Sequence, residues 1–139
     1  MTRTMFATLA FAAAVAFSGP AFAQKFKATL DGKSEVPPNT SAGQGAAEMD
    51  YDAASKKLNW KLTYSGLSGP ATAAHFHGPA DTGANAKVAV PIPNPATSPV
   101  EGSATLTDEQ AKDLMDGKLY LNVHTAANPA GEIRGQVMK

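Results

Sequence analysis

Along most of this chain apolar and polar residues alternate one by one, the period of a β-strand with one buried face. Between Gln24 and Asp31, Phe26, Ala28 and Leu30 alternate with Lys25, Lys27 and Thr29. Ala47, Met49 and Tyr51 alternate with Glu48, Asp50 and Asp52. Leu58, Trp60, Leu62 and Tyr64 alternate with Asn59, Lys61 and Thr63. This third run is the clearest strand, and it carries the single tryptophan on its apolar side. The Ala53–Lys57 link between the second and third runs suits a hairpin, so these two strands are expected to pair antiparallel.

Further runs follow at similar spacing. Ala71–His77 reads as a strand, ended sharply by Gly78-Pro79. Lys87–Ile92 is apolar and β-branched but interrupted by Pro91, which places it at a sheet edge. Val100–Leu106 is strand-like. In Lys118–Thr125, Leu119, Leu121 and Val123 oppose Tyr120, Asn122 and His124, and in Glu132–Met138, Ile133, Gly135 and Val137 oppose Glu132, Arg134 and Gln136. The turn Ala126–Gly131 joins these last two.

The breaks fit the same picture. Glu35-Val36-Pro37-Pro38-Asn39 cannot continue a ladder, because its prolines have no N–H to give. Thr40–Gly45, Gly66–Pro70 and the proline-rich Asn94–Pro99 are loops. One helix is signalled: Thr107-Asp108-Glu109-Gln110 has capping-box form, Ala111, Leu114 and Met115 supply an apolar stripe, and Gly117 suits the stop. Seven or eight short, evenly spaced strands and one short helix predict an all-β fold. The expected form is an antiparallel Greek-key β-sandwich, superoxide-dismutase-like or immunoglobulin-like.

The first residues fall outside this pattern. Arg3 followed by the apolar run Met5–Phe17 and the small-x-small triplet Ala21-Phe22-Ala23 has the form of a secretory signal peptide over residues 1–23. One domain is then expected over 24–139, periplasmic or secreted, with no membrane insertion. The sequence has no cysteine, so the fold relies on its apolar core, and any metal must be held by nitrogen, oxygen or methionine sulfur. Met49 and Met115 lie on apolar faces and suit core filling better than ligation. Acidic and basic residues balance at 12 each with no basic cluster, which leaves nucleic acid and anionic membranes without an electrostatic footprint.

Candidate chemistry gathers at the histidines. There are three, and all fall in two short segments: His75 and His77 in Ala74–Ala80, and His124 in Val123-His124-Thr125. Residues i and i+2 of a strand share a face, so His75 and His77 aim together. If their strand neighbours that of His124, three imidazoles converge and can hold one metal ion. Copper is preferred, with zinc second. The plainer alternative is a set of hydrogen-bonding residues that fixes a loop. Glu132, Arg134 and Asn122 are candidates to support the site. A carboxylate there can orient an imidazole, and an arginine can attract an anion. As surface residues, Glu132 and Arg134 would form only a weak ion pair.

Four blocks carry a family likeness: Ala74-His75-Phe76-His77-Gly78-Pro79-Ala80, Leu106-Thr107-Asp108-Glu109-Gln110, Gly117–Thr125, and Asn128-Pro129-Ala130-Gly131-Glu132-Ile133-Arg134-Gly135-Gln136. Together they resemble the CHRD (chordin) domain across the whole expected mature chain. The resemblance implies an extracellular or periplasmic β-domain, and it carries no settled activity. The His-x-His strand is also similar to that of copper-zinc superoxide dismutase. This chain lacks that enzyme's cysteine pair, and three histidines cannot fill its two-metal ligand set, so a bridged copper-zinc site is excluded. The sequence therefore favours a binding or copper-handling protein with one ion on His75, His77 and His124. Its rivals are a copper-only dismutase-like enzyme, with Arg134 guiding superoxide, and a metal-free structural or protein-interaction module with an unidentified protein partner.

Overall fold

The computed structural model describes residues 23–139. Apart from Ala23, the leader expected over residues 1–23 lies outside the described residues. Eight strands and one helix follow in the order β1 (Gln24–Asp31), β2 (Gln44–Asp52), β3 (Lys57–Ser65), β4 (Ala71–His77), β5 (Val88–Pro91), β6 (Val100–Thr105), α1 (Asp108–Met115), β7 (Tyr120–Thr125) and β8 (Ile133–Gln136). The all-β expectation with one short helix is met. Strand ends differ from the sequence reading by a few residues, where loops take over without a change of polarity.

All eight strands join one antiparallel sheet in the order β5-β4-β7-β8-β1-β2-β3-β6. The chain crosses between the two halves of this sheet at β3–β4, at β5–β6 and at β6–β7. The sheet also curls over on itself. Trp60 of β3 packs edge-on against Phe76 of β4, with centroids 5.4 Å apart, although their strands stand far apart in the order. One continuous ladder thus makes both layers of a nearly closed sandwich.

The alternating apolar positions fill the interior: Leu30, Met49, Leu58, Leu62, Phe76, Leu121, Val123 and Ile133 are all almost wholly buried. Such side chains stabilise by roughly 1.5–3 kcal/mol each when taken from water. The two halves meet where β8 lies along β1, and there Gly135 leaves room for the β1 backbone. A Cβ at that position would stand 2.2 Å from the Thr29 carbonyl oxygen. Helix α1 begins as its sequence predicts, with Thr107 and Gln110 closing a reciprocal capping box. Gln110 also donates to the Ala89 carbonyl at 2.9 Å, so the helix partly covers the β5 edge.

Proline breaks and alternation locate the strands, but they do not foresee the second burial. The face of β7 bearing Tyr120, Asn122 and His124 is expected to be wet. Tyr120 and Asn122 are instead buried, as is Arg134 beside them on β8. The loop after β4 and the loop after β1 fold across this face and form a small polar layer outside the main core. Arg134 donates to Asn85 Oδ1 at 3.0 Å and to the Ala84 carbonyl. Tyr120 meets both the N–H and the carbonyl of Ala86, and Asn85 reaches across to the Val36 carbonyl at 3.1 Å.

Candidate metal centre

The histidines reach one place because β4 lies between β5 and β7 in the sheet. His75 stands opposite Asn122, His77 opposite Tyr120, and His124 opposite Ala73. Antiparallel partners share a face, so all these side chains project into the polar layer. His77 is buried, whereas His75 and His124 are partly open to solvent.

Hydrogen bonds specify the rings further. His124 Nδ1 lies 2.9 Å from the Pro129 carbonyl oxygen, which can only accept, so Nδ1 carries the hydrogen and Nε2 the lone pair. That lone pair faces His75 Nδ1 at 3.1 Å. Two imidazole nitrogens on one ion, at about 2.0–2.1 Å each, stand about 2.9–3.4 Å apart for bond angles between a right angle and the tetrahedral value. The His75–His124 pair therefore has the spacing of two ligands of one ion.

His77 is placed differently. One nitrogen from each of the three histidines can be chosen so that all lie within 4.8 Å of one another. At the same bond angles two ligands of one ion stand no more than about 3.4 Å apart, so inclusion of all three requires a ring movement of about 1.4 Å. The His77 ring is held on several sides. It stacks on Tyr120 with centroids 4.8 Å apart and planes parallel to 1°, and the Arg134 guanidinium lies 3.5 Å from the Tyr120 centroid. Its Nδ1 is 3.0 Å from the Ala86 carbonyl and its Nε2 is 2.9 Å from Asn122 Oδ1.

Burial lowers the pKa of His75 and of His77, and for His75 the neighbouring His124 and His77 lower it further. Both rings are thereby biased at neutral pH toward the uncharged form, the form that binds metal.

The supporting residues divide. Asn122 contacts His77 directly. Arg134 reaches it only through Tyr120, and at 2% exposure it is too enclosed to draw an anion from solution, so the superoxide-guiding role does not fit its position. Glu132 orients no imidazole either. Its carboxylate accepts from Ser41 Oγ at 2.9 Å, Ser68 N–H at 2.9 Å, Thr125 Oγ1 at 2.8 Å and Asn128 Nδ2 at 3.0 Å, and also from Ser68 Oγ. These donors hold its pKa at about 2 despite burial. Glu132 lies in the β7–β8 turn just before β8, and its side chain meets loop donors instead of histidine.

Glu35 is the residue that sequence reasoning passed over. In the sequence it is one acid in a proline-flanked break. In the fold it is 5% exposed, beneath Asn122 and near Arg134. Burial raises its pKa to about 7, against the lowering effects of Arg134, Asn122 and the Val36 backbone. Oε1 ends without a hydrogen bond of good geometry; among the described residues the other such buried atom is Trp60 Nε1. No local pattern marks Glu35, because its surroundings come from β7, β8 and the following loop.

The four sequence blocks and the fold they build agree with a family match. The family model described as CHRD domain covers residues 26–137. The chain belongs to the CHRD domain family. No curated protein and no solved structure matches it. In this CHRD domain the three histidines lie on β4 and β7, within the matched region. Among the described residues no helix is long and apolar enough to cross a membrane.

Proposed function

We propose that this CHRD domain is exported and binds one metal ion, copper before zinc, at the cluster formed by His75, His77 and His124. The observation that carries the reading is the 3.1 Å approach of His75 Nδ1 to His124 Nε2. A hydrogen bond between two neutral rings accounts for that distance equally well. The ion is favoured by what surrounds the pair: a third imidazole on the same face, the biased neutral state of His75 and His77, and partial access to solvent. The donor set is nitrogen only, which suits copper and zinc and is poorly matched to calcium or magnesium. The role proposed is binding or handling of copper in the periplasm or outside the cell.

Isothermal titration with Cu(II) tests it. One ion per chain is expected for the protein, and loss of that binding for the His75→Ala, His124→Ala double variant. Both nitrogens of the 3.1 Å pair are then gone, so unchanged affinity in a folded double variant removes the site.

A further inference from the structure

We infer that Asn122, backed by Glu35, is a latch that keeps His77 off the ion, so that His75 and His124 alone hold it in the resting protein. The inference rests on the metal reading above and deepens it.

The argument is one of donors and lone pairs. Both His77 nitrogens face polar groups of the protein, the Ala86 carbonyl and Asn122. A carbonyl only accepts, so Nδ1 donates its hydrogen to Ala86. Nε2 then has two ways to meet Asn122. In the neutral ring it carries a lone pair and accepts from the amide nitrogen, with the Asn122 amide turned over; with Oδ1 facing the ring it is protonated, donates to the amide oxygen and makes His77 an imidazolium. In neither arrangement is a lone pair free for an ion. His124 is the contrast, because the Pro129 carbonyl engages its Nδ1 and leaves Nε2 directed at the cluster.

Asn122 cannot easily swing aside. It is 3% exposed, and its amide nitrogen shares with Glu35 Oε1 the space beside Gly131. Glu35 Oε1 and Asn122 Nδ2 come within 2.4 Å and 2.7 Å of the point where a Cβ on Gly131 would sit. Gly131 has φ +129°, a conformation that favours glycine, so the turn keeps clear the space that the two side chains share. The parallel Tyr120 ring restricts His77 to rotation within its own plane. To bind the ion as a third ligand, His77 must give up Asn122 or Ala86.

Ordinary outer partners of metal ligands strengthen binding, and their removal weakens affinity about 10–100-fold. A latch has the opposite sign, and this decides the test. Zn(II) and Cu(II) affinities are measured for the mature chain and for Asn122→Ala. Long-range ¹H–¹⁵N spectra of the imidazoles are recorded on the Zn(II)-loaded samples. The wild type is expected to show two coordinated imidazoles, His75 and His124. Asn122→Ala is expected to show three and to bind about tenfold tighter or more, with a smaller gain for Glu35→Gln. Three coordinated imidazoles in the wild type, or weaker binding by Asn122→Ala, overturns the latch.

If neither protein binds an ion, the metal reading itself fails. The latch falls with it, whereas three coordinated imidazoles in a wild type that binds the ion overturn the latch alone. Should Asn122→Ala fail to fold, Asn122→Leu keeps the branched shape and removes the same hydrogen bonds.

Discussion

At the scale of single residues, two buried acids of this small domain are tuned in opposite directions. Glu132 is surrounded by donors, which stabilise its charge and set its pKa at about 2 against an ordinary 4.5. Its contribution to stability is complete above pH 4.5 and is lost as pH falls toward 2. Glu35 lacks enough donors, and burial lifts it from 4.5 to about 7. The folded state therefore retains a proton that the unfolded chain releases. Stability falls as pH rises from 4.5 to 7, and the deficit is full above that. These two residues alone place a stability maximum near pH 4.5. In urea unfolding followed across pH, Glu35→Gln should flatten the limb between pH 4.5 and 7 and stabilise the protein at pH 8 by up to about 3 kcal/mol, since one pKa unit is worth about 1.4 kcal/mol. Glu132→Gln should flatten the acid limb and destabilise at pH 7 by about 2–4 kcal/mol, because several charge-assisted bonds weaken together. If wild type and Glu35→Gln run parallel from pH 4.5 to 8, the account of Glu35 is wrong.

At the scale of elements, readable and unreadable features sit side by side. The capping box of α1 is local, so four consecutive residues specify it and the structure builds it as written. Thr107→Ala should cost about 1 kcal/mol. Gly135 is not local. In the sequence it occupies an apolar position of an alternating strand, where a larger residue is expected to do better. Its reason lies on β1, whose Thr29 carbonyl would meet any Cβ there. A backbone atom cannot turn aside as a side chain can, so Gly135→Ala has to part β8 from β1 at the joint between the two halves of the sheet. Thermal melts should show Gly135→Ala losing at least about 3 kcal/mol, well beyond Thr107→Ala. Comparable losses for the two variants would mean that the joint yields easily.

At the scale of the whole molecule, the proposed ion spans two strands that are not consecutive in the chain. His75 lies on β4 and His124 on β7, with β5, β6 and α1 between them in sequence. An ion held by both exists only on the folded protein, so binding stabilises the whole domain. With free ion at 100 times Kd the gain is about 2.7 kcal/mol. For a domain of this size that is a rise in Tm of roughly 10 °C. Melting curves with and without Cu(II) should show the rise, a chelator should reverse it, and the His75→Ala, His124→Ala variant should not show it. A protein with the same Tm in the presence and absence of Cu(II) would count against the site.

Alternation along the chain, the proline breaks and the capping box determined the strands, the helix and the all-β class, because each depends on neighbours within a few residues. The sequence also determined where the imidazole nitrogens lie along the chain, since all three histidines fall in two motifs. Tertiary structure alone decided the rest. It set β4 beside β7, which brought His75 Nδ1 to 3.1 Å from His124 Nε2. It folded two loops over a face expected to be wet, buried Arg134 away from solvent, and turned Glu132 toward serines and threonine in place of histidine. It also placed Glu35, an unremarked acid in a proline-rich break, behind the asparagine that holds His77. The physical reason is the same throughout. Periodicity records which face of a strand is apolar, and it contains no information on what covers the other face.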